Sequence, residues 1–446
     1  MATAFLLDVF RAHAADEAVV FRDRSYSCEW LLAAIAAARD ELGRAGVRRG
    51  VVVSLEADFS PASIAHLLAL IGLGAVVVPI APTSEYARPE SLRVAQVEWR
   101  VLCGEDDQVR IEATETPAGH PLYERLRVQG HPGLILFTSG TTAEPKAVLH
   151  DCVRLLAKYA TRRHRLRTLA FLLFDHIGGF DTLLQALSNA SAVVIPTDRT
   201  PDGICATIAR HRVEVLPASP SFLAMMLLGE AHLRHDLSSL RYVTYGAEVM
   251  PQAVLDRLAA AFPSVTLLQK YGLTELGTLR SHSSANDSLW VKVGGEGYQT
   301  RVVDGLLEIK AESSMLGYLN APSPFTSDGW FMTGDAVEVN GDYLRILGRA
   351  SDLINVGGQK VYPAEVESVI QELDNVREAA VAGQPHPFTG QVVVARVSLR
   401  DPEDPRVLER RVREHCRARL TAYKVPVKVT VAYGDLHTER HKTVRR

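Results

Sequence analysis

The sequence predicts an α/β protein with a large N-terminal domain of mostly parallel sheets, a small β subdomain, and a small α+β domain at the C-terminus. Three observations predict it. Short apolar runs alternate with helical patterns from about residue 50 to residue 270, the signature of βαβ units. From Trp290 to Tyr343 the pattern changes to short strands separated by Gly turns, which reads as antiparallel. At 446 residues the chain also exceeds one compact core, so two or more domains are expected.

Each element follows from local pattern. Ala18 to Tyr26 reads as a hairpin. Ser27 to Ala45 has helical periodicity, with Cys28, Leu31, Leu32, Ile35 and Leu42 largely on one side. Val51–Leu55 and Ala75–Pro79 are short buried strands flanking a helix over Ser60–Leu73, so a right-handed parallel crossover is expected. Leu134–Phe137 reads as a buried strand, His150–Ala160 as a helix, Leu169–Phe174 as a strand and Phe180–Leu187 as a helix. Strands are expected at Ser191–Pro196, Val213–Pro217, Tyr242–Tyr245 and Val265–Gln269, with a helix over Gly203–His211 and another that follows Ala218-Ser219-Pro220-Ser221-Phe222 and runs through Leu228. In the C-terminal region the pattern gives a helix over Ala364–Glu372, strands at Ala379–Ala382 and Val392–Leu399, and a helix over Pro405–Leu420.

Composition narrows the function classes. Hydrophobic content of 47%, charged content of 23% and a net charge of −3 describe an ordinary globular protein and argue against nucleic acid as partner. The longest apolar stretches are broken by Gly and Pro, so no membrane span is read. Five scattered cysteines without metal or redox spacing, and no signal peptide, give the expectation of a cytoplasmic protein with reduced thiols.

The chemistry starts where the Leu134–Phe137 strand empties into Thr138, Ser139, Gly140, Thr141 and Thr142. Five small residues, four of them hydroxylated, offer backbone and hydroxyl donors that can wrap a phosphate, and Lys146 adds a positive charge. The stretch lacks the Gly-Lys-Ser/Thr of a Walker loop, so a kinase or motor-type NTPase is disfavoured. Asp175-His176-Ile177-Gly178-Gly179 stands at a strand's carboxyl end, where open α/β sheets bind ligands.

Thr138 to Lys146 resembles the phosphate loop of the adenylate-forming superfamily of acyl- and aryl-CoA synthetases, adenylation domains and luciferases, with Ala143 and Ala147 where the family usually has Gly. Four later segments agree in order: Tyr271-Gly272-Leu273-Thr274-Glu275, Gly329 to Asp335, Arg345 to Asp352 with Asn355 to Glu367, and the tail from Thr438 to Arg445. In the tail, Leu436 and His441 replace the family's Pro and Gly, while Lys442 falls on its catalytic Lys.

The resemblance implies the site. Lys442 would bridge the substrate carboxylate and the ATP α-phosphate. Thr138 to Thr142 and Lys146 would hold the phosphates, with Thr274 on the α-phosphate. Glu275 would supply the carboxylate for Mg²⁺, a hard ion that prefers such oxygens. Tyr271 and Gly272 would lie by adenine, and Asp335 and Arg349 would fix the ribose, Asp335 from a Gly-held turn. Ser219, Phe222, Tyr245, Gly246, Ala247, Glu248, Leu276 and Gly277 resemble positions around the acyl pocket and adenine slot, although any one of them could equally be core. Ser351 takes the hinge position, which divides the chain into an adenylate-forming domain over 1–350 and a mobile lid over 351–446.

His176 falls where acyl- and aryl-CoA synthetases carry a pocket-wall His and amino-acid activators an Asp; Phe180-Asp181 imitates the amino-acid motif but lies too far along the chain. A fatty or aryl acid is therefore expected, with Asp175 keeping an amine-bearing acid as the alternative. The implied reaction has two halves. A small carboxylic acid attacks ATP, with Mg²⁺, to give an acyl-adenylate and pyrophosphate. A thiol of coenzyme A or of a phosphopantetheinyl carrier protein then takes the acyl group. Adenylation of another small oxyanion, and a non-catalytic adenylate-binding regulator, are the remaining rivals.

Overall fold

The computed structural model describes residues 2–84, 89–138, 145–295, 297–432 and 436. Two seven-stranded sheets organise its first 280 residues. In the first, the strands Thr266–Gln269, Tyr242–Tyr245, Val215–Ala218, Thr168–Leu169, Val193–Ile195 and Glu17–Phe21 lie side by side in parallel, and Arg24–Ser27 closes the edge as a hairpin. In the second, Gly133–Thr138, Val76–Ile80, Val52–Glu56 and Trp99–Cys103 form a parallel centre flanked by antiparallel strands.

Helices fill the space between and outside these sheets. Pro61–Leu73 is buried almost all round, and it shares one core with Ile177–Ser188 and with side chains from both sheets, such as Val53, Val77, Val19 and Val193. A helix with no polar face belongs in such a sandwiched layer. Local chemistry sets its start: Ser60 accepts from the Ser63 N–H, Ser63 returns a bond to the Ser60 N–H, and Pro61 takes the first helical position. Ser27, Thr200 and Ser219 each accept one first-turn N–H to cap the helices Cys28–Ala45, Pro201–His211 and Pro220–Leu228.

Beyond Leu279 a six-stranded, wholly antiparallel sheet follows, including Phe331–Asn340 and Tyr343–Arg349. Residues from Ile354 onward have a core of their own, made by Val361, Val366, Val381, Val397, Leu408 and their neighbours. It joins the hairpin Ile354–Val361, the long strands Val376–His386 and Gly390–Leu399, and the helices Pro363–Ile370 and Pro405–Arg417. The mixed α/β class with parallel sheets, a β subdomain and an α+β C-terminal unit is as the sequence predicts.

Several local expectations are corrected. His150 does not open a helix: Lys146–Asp151 is a strand antiparallel to Gly133–Thr138, and the helix begins at Cys152, capped by the Asp151 carboxylate. The run Leu169–Phe174 is strand only at Thr168–Leu169; beyond it the backbone turns, and Phe171 and Phe174 bury themselves from a loop. Apolar content there reflects burial rather than sheet pairing. The helix predicted from Phe180 begins at Ile177, and Gly179 lies in its first turn, where a Cβ would stand 2.0 Å from the Leu173 carbonyl.

Candidate active site

The parallel register aligns the carboxyl ends of three strands, Ala218 opposite Tyr245 and Tyr245 opposite Gln269. The segments that follow, beginning at Ser219, Gly246 and Lys270, therefore leave one edge of the first sheet together, the usual ligand-binding edge of such sheets. Gly246 is required by this convergence: a Cβ there would lie 2.6 Å from the Lys270 carbonyl oxygen. Ala247 follows in the left-handed region at φ 70°, and the Glu248 carboxylate accepts from the Ser221 N–H and, at 2.6 Å, from its hydroxyl.

Tyr271 to Glu275 does not start a helix. Gly272–Leu273 pairs with Gly277–Thr278 in a two-strand hairpin, and Thr274, Glu275 and Leu276 form its turn. Gly272 is needed because a Cβ would meet the Thr278 backbone at 2.8 Å. A buried His150 pins the hairpin to the second sheet, its Nε2 donating to the Thr274 carbonyl at 2.6 Å. Burial pushes the His150 pKa down to about 4, so the ring is neutral.

The third sheet supplies a carboxylate and a guanidinium. Asp335 lies in the strand Phe331–Asn340, not in a turn, directly opposite Arg349. Arg349 Nε stands 2.9 Å from Asp335 Oδ1, the Tyr271 hydroxyl donates to Oδ2 at 2.5 Å, and the Asp335 N–H donates to Thr333 Oγ1. Gly334, at φ 72°, lets the strand bend before the carboxylate. Burial pushes the Asp335 carboxyl above the usual carboxylate range, against the pull of Arg349 and of the Tyr271 hydrogen bond.

Glu275 is close enough to act on the Asp335 charge. Its Oε1 accepts from the Tyr318 hydroxyl at 2.7 Å, and the Lys146 ammonium lies 5.3 Å from the centre of the Tyr318 ring. Tyr318 reaches both because the strand Gly317–Tyr318 adds to the edge of the second sheet beside Val148. Lys146 pairs in register with Thr138, the last residue of its strand. Ionic and phenolic groups from all three sheets thus meet.

Tyr271, Gly272, Ala247, Glu248, Asp335 and Arg349 line one cleft. The C-terminal unit crosses its mouth with Glu367, Gln371 and Arg377, and the Gln252 N–H donates to Ser368 Oγ there. Leu436 packs on the same unit, its N–H donating to Glu378 Oε2. Ser351 is exposed in the short 3₁₀ turn Ala350–Asp352 that joins the two parts.

Other predicted residues divide. His176 is the half-buried cap of Ile177–Ser188, accepting from the Gly178 N–H, and Asp175 beside it is buried. Ser219 Oγ is engaged as a helix cap, and Phe222, Tyr245 and Leu276 are fully buried members of packed cores, the core alternative the sequence kept open. Gly277 is buried in the hairpin at φ 78°. Ser139, Gly140, Thr141, Thr142, Ala143, Thr438, His441, Lys442 and Arg445 lie outside the described residues. Sequence reading missed His150 and Tyr318, because each acts through a partner more than 40 positions away. It also passed over Lys158, whose ammonium meets the Asp181 carboxylate at 2.5 Å.

Comparison with known proteins gives the family. Residues 8–306 match the AMP-binding enzyme family, and residues 365–442 match the AMP-binding enzyme C-terminal domain. The long-chain-fatty-acid–CoA ligase FadD13 of Mycobacterium tuberculosis is 30% identical over 444 residues, covering 88% of this chain and 86% of that one. The indoleacetate–CoA ligase of Aromatoleum aromaticum is 28% identical over 468 residues, covering 92% and 90%. The structure of the anthranilate CoA ligase AuaEII with anthranoyl-AMP superposes with a TM-score of 0.82 at 22% identity, over 98% of this chain and 95% of that one, which shows the shared fold. No described helix is long and apolar enough to cross a membrane. The chain belongs to the adenylate-forming superfamily of AMP-binding enzymes, and it is an acid–thiol ligase that uses ATP to activate a carboxylic acid.

Proposed function

We propose that the cleft holds ATP with its ribose on Asp335 and its phosphates toward Glu275 and Lys146, and that the acid lies along the edge of the first sheet. The observation that carries this reading is the convergence of Tyr271, Asp335 and Arg349 with Glu275, Tyr318 and Lys146. Each Asp335 oxygen keeps a lone pair for a ribose hydroxyl. Arg349, a fixed planar cation, holds that carboxylate in place.

Mg²⁺ is implied by the family, and the residues fit it. Among the described residues, one Glu275 oxygen is engaged, by a neutral phenol, and one carboxylate with phosphate oxygens is a common magnesium donor set. When bound, the ion would offset phosphate charge. The chain's own groups do the rest. Lys146 and the donors of Thr138 to Thr142 orient the phosphates. Lys442, from the tail beyond Leu436, neutralises the two anions that must meet, the acid carboxylate and the α-phosphate. Both reactants are negative, so positioning and charge neutralisation carry the step. The carboxylate oxygen bonds to the α-phosphorus and the bond to pyrophosphate breaks.

We divide the chain at Ser351 into the domain 1–350 and a lid 351–446. A turn about that exposed residue would withdraw the face carrying Arg377 and Glu378. It would bring in the hairpin Ile354–Val361, whose Gly357 and Gly358 are exposed. A thiol of coenzyme A, or of a carrier protein, then attacks the acyl carbon, and AMP leaves. A fatty or aryl acid fits His176 at the sheet edge. Pyrophosphate release, measured over a panel of acids with wild type and Lys442→Ala, tests the assignment. Release is expected with the wild type and lost by at least about 100-fold in the variant, as for removal of a group that stabilises charge in the transition state. Equal rates would remove Lys442 from the reaction.

A further inference from the structure

Lys270 separates Gln269, the last residue of its parallel strand, from the cleft residue Tyr271, and its N–H donates to the Tyr245 carbonyl at 2.7 Å. The residue is thus fixed to the sheet edge, half-buried, and it lines the cleft. The charged groups that act on its ammonium are Asp181 and Lys158, on the helical side of the site, and Arg163.

Those three groups carry one negative charge against two positive ones, although Glu248, Asp335 and Glu367 line the same cleft. Asp181 Oδ1 accepts from the Lys158 ammonium at 2.5 Å and from the Tyr159 hydroxyl at 2.6 Å. Lys158 also donates to the Thr278 carbonyl at 2.7 Å, so it is satisfied. Among the described residues, Lys270 Nζ has no hydrogen bond and no carboxylate within 4 Å. Among the described residues, Asp181 is the one carboxylate that acts on the Lys270 ammonium, and Lys158 already bonds it, which leaves one positive charge over before Arg163 is counted. Burial lowers the Lys270 pKa and the Asp181 field only partly restores it. A charge partly withdrawn from water is normally paired, so a partner for Lys270 is expected to arrive with a ligand that fills the cleft. Thr278 belongs to the hairpin that also carries Glu275, which places this surplus beside the reacting end of the site.

We propose that the acid this enzyme activates carries a second anionic group, a carboxylate or a sulfonate, and that Lys270 is the residue that selects it. The inference rests on the acid-activating reading above. It also disfavours an amine-bearing acid, whose ammonium would add to an existing positive excess while Asp181 is already engaged by Lys158.

The test is pyrophosphate release, with ATP and Mg²⁺, from pairs of acids matched in length: a monocarboxylate, the corresponding dicarboxylate and the corresponding sulfocarboxylate. Wild type is expected to favour a dianionic member by about 10- to 150-fold in kcat/KM, the range of a hydrogen bond to a charged group. The two dianionic arms show which anion is preferred. Lys270→Met should collapse that preference, and Lys270→Arg should retain most of it. If Lys270→Met does not fold, the wild-type ranking with Lys270→Arg still decides. Monocarboxylates preferred by the wild type, or a preference unchanged in Lys270→Met, would overturn the inference while leaving acid activation standing. No pyrophosphate from any acid would overturn both.

Discussion

Replacing Asp335 with Asn gives the sharpest test of the nucleotide site. Each carboxylate oxygen is already engaged, Oδ1 in an ion pair with Arg349 Nε at 2.9 Å and Oδ2 by the Tyr271 hydroxyl, which donates at 2.5 Å. One lone pair on each is left for a ribose hydroxyl. Asn turns one of these oxygens into an NH₂ group, which donates and cannot accept. Turned toward Arg349 the NH₂ sets donor against donor; turned toward Tyr271 it can donate to the phenol oxygen, but in either rotamer one ribose hydroxyl loses its acceptor. The ribose loses one charge-assisted bond, about 1.5–3 kcal/mol, so ATP affinity should fall about 10- to 150-fold. Calorimetric titration of ATP into both proteins, without acid, reads the change directly. A urea midpoint measured alongside separates lost binding from lost folding. An ATP affinity within about twofold of wild type, in a variant that folds normally, would refute the reasoning. Because burial raises the Asp335 pKa, its carboxylate protonates at higher pH than an ordinary Asp. Wild-type ATP affinity should therefore weaken as pH falls, starting above the usual carboxylate range.

Three further outcomes are expected. Tyr318→Phe removes the 2.7 Å bond to Glu275, about 1 kcal/mol, and should lower kcat/KM for ATP about fivefold in a pyrophosphate assay; no change would free Glu275 from that partner. His150, lowered by burial from 6.5 to about 4, contributes stability that is present above pH 6.5 and lost as pH falls toward 4. Between pH 7 and pH 5 wild type should lose about 2 kcal/mol more than His150→Gln in urea unfolding, and parallel pH curves would contradict this. Gly246→Ala would put a Cβ 2.6 Å from a backbone oxygen, and it should cost about 1–3 kcal/mol, read as a lower thermal midpoint; an unchanged midpoint would show that the loop can yield.

How much was legible follows from the range of each signal. Ser60-Pro61 starting a helix, Tyr242–Tyr245 as a strand and Pro363 opening another helix depend on residues a few positions apart, and the structure has them where the pattern puts them. The strand Lys146–Asp151 was misread because its pairing partners lie on other strands, Gly133–Thr138 and Gly317–Tyr318. Asp335 was expected in a turn because Gly334 reads as one, whereas the opposing strand, ending at Arg349, holds it extended.

By itself the sequence determined the fold class and the family, because short motifs in a fixed order and local periodicity survive without coordinates. It could not determine which charges face each other. Tertiary structure alone joined Tyr318 to Glu275, seated neutral His150 under Thr274, and left Lys270 beside a carboxylate already taken by Lys158. The reason is physical: electrostatic partners are chosen by distance in space and by exclusion of water, and neither quantity is written along the chain.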